Sequence, residues 1–141
     1  MKTDYTMKTD SKIAACFLAT AIWADGEYSS SEKDFLHNIA HNLGIETLEE
    51  DVTAAAAELA PLTSEEVKNR LSDSASHVDP EEKDGLLALC LQIMGCDSYL
   101  ASEEVTNFFV LANILEIEPE RAQMMLAQLA NDDEDVIVEN N

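Results

Sequence analysis

Apolar positions along this chain recur with the period of a helix, and the whole pattern occurs twice. An almost unbroken apolar run over residues 13–24 is followed by Leu36, Ile39, Ala40 and Leu43, the spacing of a single helical face. A shift of 72 residues, the step from Asp25 to Asp97, repeats this arrangement. Phe17/Leu89, Ala21/Ile93, Ile22/Met94, Leu36/Phe108, Ile39/Leu111, Ala40/Ala112, Leu43/Leu115 and Ile45/Ile117 stay apolar in both copies. Each unit of a two-copy helical repeat must bury its own apolar face, so such positions persist. With only 4 glycines and 3 prolines, the fold predicted is all-α.

Start and stop signals divide the pattern into seven helices. Asp10 or Ser11 caps a first helix running to about Asp25, with Gly26 as a left-handed stop. Ser30 caps a second, to about Leu43, closed by Gly44. A third covers roughly residues 48–59 before Pro61, and Thr63-Ser64-Glu65-Glu66 is a capping-box spelling that opens a fourth, to about Ser76. Asp79-Pro80 opens a long fifth helix to about Asp97, Ser102 caps a sixth ending near Leu115, and Pro119 opens a seventh ending near Ala130. The expected architecture is two pseudo-symmetric three-helix repeats, about 10–60 and 80–130, joined by one helix. Residues 1–130 form one domain, and 131–141, with five acids, no base and no patterned element around Val136-Ile137-Val138, form a flexible acidic tail. Met-Lys-Thr-Asp occurs at both residue 1 and residue 7, which marks the first six residues as dispensable and Met7 as an alternative start.

Charge narrows the function. Against 29 acids stand 8 bases, a net charge of −21, so the chain repels nucleic-acid phosphates and anionic headgroups. Direct nucleic-acid binding and membrane insertion are not expected; cations and basic protein surfaces are the natural partners. Cys16, Cys90 and Cys96 sit in apolar segments without CxxC spacing, which reads as reduced, buried thiols in a cytoplasmic protein. The run over residues 13–24 has a counterpart over residues 85–96, so it is a core helix rather than a signal-peptide core.

Packing explains repeated apolar positions but not repeated acids, and Asp25/Asp97 and Glu32/Glu104 are acidic in both copies. Glu32 and Glu104 fall in first helical turns, where the helix dipole stabilises an acid by about 0.3–1 kcal/mol. Asp25 and Asp97 are expected at helix C-termini, the unfavourable pole, which asks for a compensating cation. A tight turn brings each aspartate to the corner of its glutamate, and an approximate two-fold would let both corners converge. Four converging carboxylates must bind a cation or take up protons. Their oxygens suit Ca²⁺, Mg²⁺ or Mn²⁺, and Glu27 and Glu103, which lack acidic counterparts, are available to complete the shell. The alternative is that the corners lie apart and each aspartate merely joins a turn.

These residues carry a resemblance. Ala24-Asp25-Gly26-Glu27, a serine-rich turn, Glu32-Lys33 and the closing Leu43-Gly44-Ile45 resemble the TerB tellurite-resistance family, and the likeness covers most of the chain. The first motif matches in full at Asp25, Gly26 and Glu32; the second keeps Asp97 and Glu104 but has Ser98 and Glu116 where the first copy has glycines. The resemblance implies a TerB-like all-α fold with an acidic, divalent-cation-binding centre. It also implies a role in metal and chemical stress responses and an association with membrane-linked complexes.

Other motifs are weaker. Leu36 occupies the position where an EF-hand loop starting at Asp25 needs its bidentate glutamate. His37 and His41 have zinc-pair spacing but share a face with Lys33 and Asp34, which reads as an exposed polar stripe. Trp23 reads as a packing residue, and Met124, Met125, Leu126 and Leu129 as a core-facing stripe, with an adaptable partner groove as the alternative. The leading expectation is a non-enzymatic module that binds a divalent cation and couples it to a protein partner. The alternative is a metal-independent acidic interaction adaptor. An enzyme ranks third, because no nucleophile, base or basic substrate clamp is visible.

Overall fold

Helix α1 (Ser11–Ile22) is apolar on nearly every side, and a helix of that kind belongs at the centre of a bundle. The computed structural model describes residues 9–23, 30–95, 99–100, 102–132 and 137–138. In it, α1 packs against α3 (Leu48–Leu59), α4 (Ser64–Ala75), α5 (Lys83–Met94) and α6 (Ser102–Ile114). Its alanines Ala14, Ala15 and Ala21 are fully buried and let these neighbours approach closely, while Phe17, Leu18 and Ile22 fill the space between them. Helices α2 (Ser30–Leu43) and α7 (Pro119–Asp132) complete seven α-helices among the described residues, and the all-α expectation holds.

The helix bounds repeat along the chain, although packing within the copies differs: α1 lies along α3, whereas α5 touches α7 much less, and α5 meets α6 more than α1 meets α2. Shifted by 72 residues, the bounds of α1 fall on those of α5, and α2 and α3 match α6 and α7 to within one residue at each end. Burial follows: Ala21 and Ile93 are both inaccessible, as are Leu36 and Phe108. Between the copies, α1 packs on α5, α1 on α6 and α2 on α5, contacts that map onto one another when the copies are exchanged.

Several local expectations are met in atomic detail. Asp10 caps α1 by accepting from the Lys12 backbone N–H at 2.8 Å. Thr63 and Glu66 form the reciprocal capping box, Glu66 N–H to Thr63 Oγ1 at 3.2 Å and Thr63 N–H to Glu66 Oε1 at 2.9 Å. Gly44 stands at φ 70° after α2, with the Ile45 N–H donating to the Ala40 carbonyl at 2.9 Å. Glu116 occupies the same left-handed conformation after α6, at φ 62°, with the matching bond from Ile117 to Ala112 at 2.8 Å. The second copy therefore keeps the helix stop without the glycine.

Three expectations change. Helix α1 ends at Ile22, with Trp23 as its C-cap, rather than near Asp25; α5 ends at Met94, with Gly95 as its C-cap, rather than near Asp97. Asp25 and Asp97 thus come three positions after the last helical residue and lie outside the described residues. The predicted long fifth helix opens as a separate 3₁₀ turn, Pro80–Glu82, capped by Asp79. Val136-Ile137-Val138 was expected to join no element, yet Ile137–Val138 (β2) pairs in parallel with Tyr99–Leu100 (β1), Tyr99 opposite Ile137 and Leu100 opposite Val138. Two residues are too few to show a period, and the partner strand lies far back in the chain. Met7 and its flanking residues lie outside the described residues.

Candidate carboxylate site

Helices α2 and α6 each begin at a serine, Ser30 and Ser102, and place a glutamate in the first turn. Glu32 and Glu104 are both almost fully enclosed, at 4% and 3% exposure. Burying an ionised carboxylate is costly unless hydrogen bonds or opposite charge replace its water, and helix N-terminal N–H groups supply part of that replacement. Neither side chain is an isolated group, and among the described residues every buried side-chain nitrogen or oxygen has a hydrogen-bond partner.

A third buried acid, Glu82 at 6% exposure, holds two parts of the chain together. Its Oε1 accepts from the Thr9 backbone N–H at 2.7 Å and from the Thr9 hydroxyl at 2.6 Å, while the Thr9 Oγ1 accepts from the Asp79 N–H at 3.1 Å. Glu82 therefore ties the chain entering α1 to the start of α5. Nothing in the sequence pattern singles it out, because its partner lies in the other copy and is not charged.

Of the other expected ligands, Glu103 is exposed beside buried Glu104, one step around the helix from it. Asp25, Glu27 and Asp97 lie outside the described residues. Among the described residues, no group of three or more His, Cys, Asp or Glu side chains is arranged to hold a metal ion. The donor chemistry of the expected set, carboxylate oxygen throughout, fits a hard divalent cation.

His37 and His41 are exposed, as expected. They line a surface depression of about 370 Å³ with Glu46 and Glu49, and His37 Nδ1 lies 3.1 Å from Glu49 Oε1. The α7 stripe divides: Met125, Leu126 and Leu129 pack on the core, whereas Met124 is 70% exposed. Trp23, expected as a packing residue, is 37% exposed and stands at the mouth of an apolar groove. Cys16 and Cys90 are free, buried thiols. Burial raises both above the ordinary thiol range, Cys90 to about 12, with the Ser74 hydrogen bond partly offsetting the rise at Cys16. Cys96 lies outside the described residues. No helix among the described residues is long and apolar enough to cross a membrane.

Comparison with curated proteins and with solved structures finds no match. The model of the family described as "Tellurite resistance protein TerB" matches residues 12–128. That span opens in α1 and closes in α7, so it takes in both buried glutamates and, in sequence, Asp25 and Asp97. The chain belongs to the TerB family.

Proposed function

We propose that this TerB-family chain is a non-enzymatic module that takes up a divalent cation, Ca²⁺, Mg²⁺ or Mn²⁺, and couples it to a protein partner in a stress-related response in the cytoplasm. The ligands are Asp25, Glu32, Asp97 and Glu104, with Glu27 and Glu103 as additional donors. The observation that supports this reading most is the equal burial of Glu32 and Glu104 at equivalent positions of the two copies. Burying that acid in both copies costs solvation energy; partners within the protein already offset part of it, and in this reading a cation shared with the aspartate of the same copy offsets more.

A site built from both copies exists only in the folded chain, so cation at a hundred times its dissociation constant stabilises the fold by about 2.7 kcal/mol. The thermal midpoint in millimolar Ca²⁺, Mg²⁺ or Mn²⁺ against chelator tests this. The Asp25→Asn, Asp97→Asn double variant is expected to lose the response while being no less stable in chelator, where removing two anions relieves repulsion. An unresponsive wild type, or a double variant that responds equally, rejects the site. The metal-independent acidic adaptor then takes its place, a reading favoured by the apolar groove beside Trp23.

A further inference from the structure

Helices α1, α3, α4 and α6 enclose a groove of about 460 Å³ that no part of the carboxylate site uses. Its walls are Ala19 of α1 and its C-cap Trp23, Ala57 of α3 and its C-cap Ala60, Val67 of α4 and Asn107 of α6. Ala57 and Ala60 are exposed, and the alanine run of α3 leaves a trough where larger side chains would have closed the surface. A second depression, of about 340 Å³, shares Thr20, Val67 and Asn107 with the first and adds Leu62, Val110 and the basic Lys68. Together they form one elongated apolar trough along the seam of α1, α4 and α6.

Charge surrounds it. A shallow depression bearing Glu49 and Glu50 meets the trough at Ala57. Exposed Glu103 lies one turn before Asn107 on the same face of α6. Glu58 follows Ala57 on α3 and pairs with Arg70 of α4 at 3.6 Å, and exposed Glu65 precedes Val67 on α4. The floor is mostly apolar with Lys68 in one wall, and a surplus of acids surrounds it, Glu50, Glu65 and Glu103 against that one lysine. Such a surface is complementary to a helix with an apolar stripe and mainly basic flanks, whose i and i+3 or i+4 side chains would enter the two depressions. A second copy of this chain is disfavoured, since each copy brings a net charge of −21.

We propose that this trough is the docking site for a basic amphipathic helix of a partner protein. The proposal rests on the reading of the chain as a protein-binding module but not on the cation site, and its test is run in chelator so that the two fail separately. The probe is a fluorescein-labelled peptide of about sixteen residues with a leucine stripe at helical spacing and lysine elsewhere, compared with a scrambled peptide of the same composition. Anisotropy should report binding that weakens with added salt, and Trp23, the only tryptophan in the chain, should shift its emission. The scrambled peptide, and the striped peptide on Ala57→Phe or Ala60→Phe protein, should bind at least about tenfold more weakly. Ala127→Phe, at an exposed position of α7, should bind normally. Equal binding of the scrambled peptide, or unchanged binding by folded Ala57→Phe and Ala60→Phe proteins, overturns the proposal. Self-association that is lost in those two variants overturns it in favour of a second copy.

Discussion

At the residue scale, the two left-handed helix stops give the cleanest comparison between the copies. Nothing lies within 4 Å of a Cβ built on Gly44, so Gly44→Ala carries backbone strain alone and should cost about 1–2 kcal/mol in urea unfolding. Glu116 already bears that strain, and its side chain makes an exposed pair with Lys83 at 3.4 Å, a contact of small worth. Glu116→Gly should therefore raise stability, by about 0.5–1 kcal/mol once the flexibility of glycine in the unfolded chain is counted. Glu66 supplies a pH-dependent counterpart. The Thr63 backbone N–H, and then its hydroxyl, hold the Glu66 carboxyl below the usual range. A depressed folded-state value stabilises the fold above the ordinary carboxylate range and loses that effect as pH falls through the depressed one. The advantage of wild type over Glu66→Gln should accordingly disappear on acidification, as an unfolding series in pH would register. Both features could be read from letters, since Gly after an apolar run and Thr-x-x-Glu have local meaning. The burial of Glu32, Glu82 and Glu104 could not, because a glutamate's spelling says nothing of what packs over it; repetition alone flagged the first and last.

At the scale of elements, α3 and α4 were legible to the residue or nearly so, because an apolar stripe and a capping box mark them from within. The ends of α1 and α5 were not. Apolar letters continue past Ile22 to Trp23 and Ala24, and past Met94 to Cys96, while the backbone leaves the helix, so composition overstated both lengths. The 3₁₀ opening of α5 was equally hidden, since Glu82 turns inward to meet Thr9 from the other copy. That contact has a measurable consequence. Glu82→Ala leaves the buried Thr9 N–H without its acceptor and should destabilise the protein by about 1–3 kcal/mol in denaturant unfolding. Loss of β2 should matter far less, because a two-residue pairing replaces few water contacts. Truncation after Asp132 is expected to cost about 1 kcal/mol or less, and a larger drop in thermal midpoint would assign the C-terminal segment a structural role beyond that pairing.

For the whole molecule, the repeat joins fold to function. An all-α domain of the TerB family was legible because periodicity, scarcity of glycine and proline, and the doubled motif agree. The apolar trough was not, since it exists only where four helices meet and its walls are small residues with no signature of their own. Net charge sets the outer limits of partnership: the protein should show no micromolar, salt-sensitive binding to duplex DNA in an electrophoretic assay. Within those limits, the two copies are proposed to share a single cation. A titration with Mn²⁺ followed by electron paramagnetic resonance of the free ion tests this most directly, because it counts sites as well as detecting them. One Mn²⁺ per chain is predicted, with Glu32→Gln and Glu104→Gln each weakening that same site about tenfold or more. Two equivalent sites per chain, each lost with only one of these glutamates, or no bound Mn²⁺ at millimolar concentration, would contradict it.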